Sequence, residues 1–147
     1  VWRESNIPHR LSSTQEFERR IAAGDFVEHE EVYSGCYYGT LRSEIDRIWD
    51  KGHTIVFDVD VKGGLNLKKN FGSKAMTLFI KPPSIEELRR RLVSRGTDAP
   101  EKIEQRLAKA DKELAFAQQF DHVIVNDDLD KAESEAEALI RAFIKPQ

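Results

Sequence analysis

Two aspartates, a run of arginines and one glutamate are spaced so that they could handle a phosphorylated ligand. Asp58 and Asp60 lie at the end of the apolar run Thr54-Ile-Val-Phe-Asp-Val-Asp-Val61, ahead of Lys62-Gly63-Gly64. Ligands of a parallel α/β sheet gather beyond the carboxyl ends of its strands, and residues i, i+2 share one side of a strand. Carboxylates there suit a magnesium–phosphate complex or a bound base, and the plainer reading is two solvated carboxylates at a strand end. Arg91 and Arg95 stand at i, i+4 on one helix face, with Arg106 in the next helix beyond Gly96-Thr97-Asp98. Two helices joined by a short glycine hinge, both carrying guanidinium groups, can close over a polyphosphate. The planar fork of arginine matches phosphate oxygens, and positive charge there stabilises a phosphoryl group in transfer. Taken alone, Arg89-Arg90-Arg91 is a solvated helix face, and basic residues near a helix C-terminus help any helix.

The third constellation is Phe26-Val27-Glu28-His29 followed by Ser34-Gly35-Cys36-Tyr37-Tyr38-Gly39-Thr40. A buried carboxylate at Glu28 can accept the ring N–H and exocyclic amine protons of a guanine, while Tyr38 and Thr40 can hold a phosphate and a carbonyl. Charge-assisted bidentate pairing of this kind separates guanine from adenine. On spacing alone, a hairpin with ordinary aromatic packing explains the same residues.

These side chains need elements to position them, and the punctuation of the chain is clear. Ser13 with Glu16 forms a capping box before Phe17 and Ile21, with a stop at Gly24. Thr40 is expected to cap a second helix carrying Leu41, Ile45 and Ile48 and ending at Gly52. Ser84 with Glu87 opens a third after Pro82-Pro83, with Ile85, Leu88 and Leu92 as its buried stripe and Gly96 as its stop. A fourth starts near Asp98 with Pro100 in its first turn and carries Ile103, Leu107, Ala110, Leu114 and Ala117. A fifth starts near Asp128 and carries Leu129, Ala132, Ala136, Leu139, Ile140 and Phe143. Residues 54–61, 76–80 and 122–125 read as buried strands. Their alternation with helices implies a parallel sheet. The stretch 26–39, with Ser34-Gly35 as its turn, reads as a small hairpin beside that sheet.

Composition bounds the rest. The 147 residues are 39% hydrophobic and 33% charged, which suits one globular domain. No apolar run approaches the roughly 18 residues of a membrane span, the first ten residues are no signal peptide, and a cytoplasmic setting is expected. One cysteine excludes a disulfide framework and a cysteine-based zinc site. A net charge of −3 argues against a nucleic-acid footprint, so anions must meet local arginines on an acidic background.

Five segments then become specific together. FVEHEEVYSGCYYGT, FDVDVKGG, IKPPSIEELRRRLVSRGTD, IEQRLAKADKEL and FDHVIVNDDLD resemble, in order and spacing, the pattern of guanylate kinases of the bacterial type, from Ser13 to about Phe143. The resemblance implies a three-layer α/β fold of the P-loop nucleoside-monophosphate-kinase kind. It places a GMP-binding subdomain at about 14–52, a helical lid at about 89–109, and a core at 53–88 and 110–147. It implies phosphoryl transfer from ATP to GMP, with Mg2+ accompanying ATP. By that likeness Glu28, Tyr38, Thr40 and Asp58 are similar to GMP-binding residues, and Arg91, Arg95 and Arg106 resemble the lid and phosphate-clamping arginines. Asn126 falls on the ATP side and Asp60 near the magnesium site. His29 and Cys36 gain no role.

The family's phosphate-binding loop, GxxxxGK[ST], has no counterpart here, since no Gly-Lys-Ser or Gly-Lys-Thr occurs. Phe71-Gly-Ser-Lys-Ala75 lacks the first glycine and the trailing hydroxyl. His9 falls about where the family carries a tyrosine, and Val1–Pro8 do not match. The expectation is therefore that the 147 residues alone lack the first strand, the P-loop and part of the GMP clamp, and do not turn over by themselves. A catalytically inactive interaction domain of the same lineage is the alternative, which the retained arginines and Asp60 oppose.

Overall fold

A computed structural model describes residues 14–33 and 36–144. The chain divides into two compact units, one ending at Gly72 and the other beginning at Ser73.

The first unit is built on a hairpin. Helix α1 (Thr14–Ala22) buries Phe17, whose ring stacks on Phe26 at 4.3 Å and on Tyr37 at 5.2 Å between centroids. Strands β1 (Phe26–Tyr33) and β2 (Cys36–Leu41) pair antiparallel, with Glu28 opposite Thr40 and His29 opposite Gly39. Gly39 is there for space. A Cβ at this position would lie 2.8 Å from the Glu28 carbonyl oxygen and 2.8 Å from Phe26 Cδ1. Helix α2 (Arg42–Asp50) follows directly. Thr40 does not cap it, because the Thr40 hydroxyl is turned across the hairpin to Glu28; the cap residue is Leu41, and the Arg42 N–H finds the Asp25 carbonyl at 2.9 Å. The Ser13 cap and the Ser34-Gly35 turn lie outside the described residues.

The expected strand at 54–61 is not formed. Residues 53–60 run without a ladder, and Val61 already opens helix α3 (Val61–Phe71). Side-chain alternation is present, since Ile55 and Phe57 pack on the Val27, Ile45 and Leu67 core while Val56 is 67% exposed. A strand also needs a neighbouring backbone to pair with, and the described residues supply ladders only to β1–β2 and β3–β4.

The second unit holds the parallel pair. Strands β3 (Leu78–Lys81) and β4 (His122–Val125) run in register, Leu78 with His122 through Lys81 with Val125. Phe79 and Ile124 are buried, on opposite faces by this register, whereas Ile80 is 59% exposed and Val123 and Val125 are exposed as well. Ahead of the strands, Asp121 Oδ2 accepts from the Thr77 N–H at 2.8 Å and from its hydroxyl at 3.0 Å. Thr77 Oγ1 accepts from the Asp121 N–H at 3.0 Å. Parallel strands need a crossover, here helices α4 (Ile85–Arg95) and α5 (Pro100–Leu114). Ser84 Oγ caps α4 by accepting the Glu87 N–H at 3.0 Å, and Gly96 ends it in the left-handed region at φ 69°. Leu92, Ile103 and Leu107, with Ile85 and Leu88, form the core between the two helices. Helix α6 (Leu129–Ile144) closes the unit, with Asp128 Oδ1 accepting from the Lys131 N–H at 3.0 Å.

Candidate functional site

The candidate residues are spread over both units. In the hairpin, Glu28 and Thr40 face each other across β1 and β2, and Thr40 Oγ1 donates to Glu28 Oε1 at 2.7 Å. Both are half-buried, so the carboxylate is held in place and still reachable. The neighbouring His29 is exposed and lies edge-on to Phe26 at 6.2 Å. Tyr38 stands in β2 opposite Glu30, but its side chain, like that of Cys36, lies outside what the structure describes.

The two aspartates have separate surroundings. Asp58 is exposed. Half-buried Asp60 is the N-cap of α3, with Oδ1 accepting from the Gly63 N–H at 2.8 Å. The premise of two carboxylates on one side of a strand fails with that strand. Capping by Asp satisfies one of the free N–H groups at the helix start, a sequence signal that the Gly63-Gly64 pair obscured.

The arginines divide as well. Arg91 reaches back to the loop after β4: its Nε donates to Glu87 at 2.9 Å, its Nη1 to the Asn126 carbonyl at 2.8 Å, and its Nη2 to the Asp127 carbonyl at 3.4 Å. Arg90 and Arg91 together hold the Glu87 carboxyl down at about 2, Arg90 contributing most. Arg95 and Arg106 instead converge. Arg95 Nη2 and Arg106 Nε lie 2.9 and 3.1 Å from the same oxygen, Asp98 Oδ2, and Lys102 Nζ is 3.8 Å from Asp98 Oδ1. The Asp98 side chain is only 6% exposed. Three cations on one carboxylate leave the α4–α5 link with surplus positive charge. Arg89 pairs with Glu104 and ties the two helices together beside it.

Asp98 is the residue that sequence reasoning missed. Its position suits a helix start, but α5 begins at Pro100 with Ala99 as its cap, and the Asp98 carboxylate serves the arginines. The signal was present in the spacing of Arg95, Asp98, Lys102 and Arg106, three, four and eight residues apart about one acid.

Among the described residues no helix is long and apolar enough to cross a membrane, and no three His, Cys, Asp or Glu are grouped to hold a metal.

The architecture matches a solved one. The crystal structure of guanylate kinase from Anaplasma phagocytophilum covers 99% of this chain over 72% of its own length, with TM-score 0.67 and 28% identity. The fold is thus α/β, of the P-loop kinase type. In sequence, the family profile described as guanylate kinase matches residues 9–143. A guanylate kinase of Bacteroides fragilis is 53% identical over 94% of this chain and 68% of its own length. That of Bacteroides thetaiotaomicron is 52% identical over 96% and 69%, and that of Salinibacter ruber 46% over 94% and 73%. The chain belongs to the guanylate kinase family, and so to the nucleotide-binding transferases.

Proposed function

We propose that this chain works in the transfer of the terminal phosphoryl group of ATP to GMP, giving ADP and GDP, and that its hairpin reads the guanine. The observation that carries the guanine reading is the 2.7 Å hydrogen bond from Thr40 to Glu28. That bond orients the carboxylate without neutralising it and leaves lone pairs for the guanine ring N–H and amino group. Adenine presents no such ring N–H, so the same carboxylate rejects it. Tyr38 and Asp58 complete the GMP side by their place in the family pattern.

An oxygen of the GMP phosphate attacks the terminal phosphorus of ATP, and the bond to the bridging oxygen breaks with its electron pair leaving on ADP. The nucleophile is already anionic, so no protein base is needed, and catalysis is positioning plus charge stabilisation. Arg95 and Arg106 neutralise charge on the phosphoryl in transfer. Arg91, through its hold on the Asn126 carbonyl, sets the loop assigned to the ATP side. Mg2+ bound with ATP would supply neutralisation of phosphate charge, and Asp60 is the residue that would face it. Nucleotide-bound magnesium takes only one or two protein carboxylates, and Asp60 has a second oxygen beside the one that caps α3. In this reading residues 14–52 are the GMP subdomain, 89–109 the lid, and 53–88 with 110–147 the core. The lone cysteine and the substrates support a cytoplasmic setting.

The test is GMP titration calorimetry on Glu28→Gln. The amide turns one acceptor into a donor that faces a guanine N–H. The expected loss is about 1–3 kcal/mol, roughly 5- to 150-fold in Kd. Unchanged GMP affinity refutes the guanine assignment.

A further inference from the structure

We propose that Asp98 is a positioning residue for phosphoryl transfer, holding Arg95 and Arg106 at one point so that both guanidinium groups meet the phosphate together. The inference rests on the reading of Arg95 and Arg106 as the phosphate-binding pair. Arg95 is the last residue of α4, while Arg106 lies well inside α5. Nothing in either helix alone makes the two side chains meet. They meet because Asp98 stands in the short link between the helices and offers a single oxygen to both, at 2.9 and 3.1 Å. The two donor nitrogens are therefore no farther apart than the sum of those distances, a separation that the oxygens of one phosphate group can bridge.

The two partners are unequally anchored. Arg95 and Arg106 are about half exposed, whereas Asp98 is 6% exposed. The carboxylate is the fixed member and the guanidinium groups are the movable ones. A long side chain ordered only when ligand arrives costs roughly 2- to 10-fold in affinity. Two arginines already gathered by Asp98 escape much of that loss. One negative charge cannot neutralise two guanidinium groups and the nearby Lys102, so the gathered pair keeps its attraction for an anion.

The experiment is single-turnover and steady-state kinetics, in full-length protein that carries the P-loop, on Asp98→Ala, Asp98→Asn and Asp98→Glu, repeated in an Arg95→Ala/Arg106→Ala background. The expected result is a transfer rate about 10-fold lower for Asp98→Ala, with KM for GMP changed less than about twofold. Asp98→Glu should recover most of the rate. In the double-arginine background, removing Asp98 should have almost no further effect, because the groups it positions are gone. If Asp98→Ala misfolds, Asp98→Asn carries the same comparison, since it keeps the side-chain shape and loses the charge. A full rate in Asp98→Asn beside a depressed rate in Arg95→Ala overturns the role of Asp98 while sparing the arginines. An equal loss with and without the arginines makes Asp98 a structural link only and also overturns it. A full rate in Arg95→Ala removes the arginine reading itself, and this inference with it.

Discussion

Gly39→Ala should damage the hairpin out of proportion to one methyl group. Its Cβ would lie 2.8 Å from the Glu28 carbonyl oxygen, 2.8 Å from Phe26 Cδ1 and 3.0 Å from His29 Cβ, against an ordinary contact of 3.4 Å or more. Each neighbour would have to yield by about half an ångström, and none can do so cheaply. The Glu28 carbonyl is backbone inside the β1–β2 ladder, and Phe26 is stacked 4.3 Å from Phe17. Overpacking in such places costs about 1–3 kcal/mol, and rigid neighbours on two sides put this case near 2–3 kcal/mol. With a urea dependence of roughly 1–3 kcal/mol per molar, the unfolding midpoint should fall by about 1–2 M. GMP affinity should fall as well, since the displaced strand carries the Glu28 carboxylate away from the Thr40 hydroxyl. Urea unfolding followed by circular dichroism, with GMP titration on the folded fraction, reads both effects. A midpoint equal to that of the parent would refute the steric argument, and a lowered midpoint with intact GMP affinity would separate Gly39 from the guanine site.

Arg91→Met removes the donors to the Asn126 and Asp127 carbonyls while keeping much of the stem. In full-length protein that carries the P-loop, KM for ATP should rise several-fold with KM for GMP nearly constant, and equal changes in both would sink the assignment of this loop to the ATP side. Ser84→Ala deletes the N-cap of α4 and should cost about 0.5–2 kcal/mol, measured as a lower Tm. The Glu87 carboxyl, held at about 2 against an ordinary 4.5, stabilises the fold above about pH 4.5 and loses that contribution as pH falls toward 2. A carboxyl NMR titration should show Glu87 still ionised at pH 3.5, and a midpoint near 4.5 would mean the arginine pairs do not persist in solution.

Helix ends were legible because their causes are local. Ser84, Gly96, Pro100 and Asp128 each act on backbone within a few residues: α4 runs between Ser84 and Gly96, α5 starts at Pro100 and α6 follows Asp128. The strand at 122–125 and the hairpin were legible from β-branched and aromatic runs. What failed was the property that no short window contains. Residues 54–61 alternate like a strand, yet pairing depends on a neighbour that sequence spacing does not name. Thr40 had two local uses, helix cap or cross-strand donor, and register chose the second. The arginines were found by type and spacing, but which carboxylate each would take was decided in three dimensions, by Asp98 for Arg95 and Arg106 and by Glu87 and two carbonyls for Arg91.

The paired bonds between Thr77 and Asp121 act at the far end of the sheet as an index mark. They fix which residue of β4 enters opposite which residue of β3, and the two strands then count off equal lengths. At the other end the count finishes with the Asn126 N–H on the Lys81 carbonyl at 2.8 Å, and Arg91 takes the Asn126 carbonyl. A slip of one residue would deliver Val125 or Asp127 to that spot and turn Ile124, 1% exposed, out of the core. The identity of the side chain presented after β4 is therefore decided by a threonine and an aspartate at the opposite edge, which never approach it.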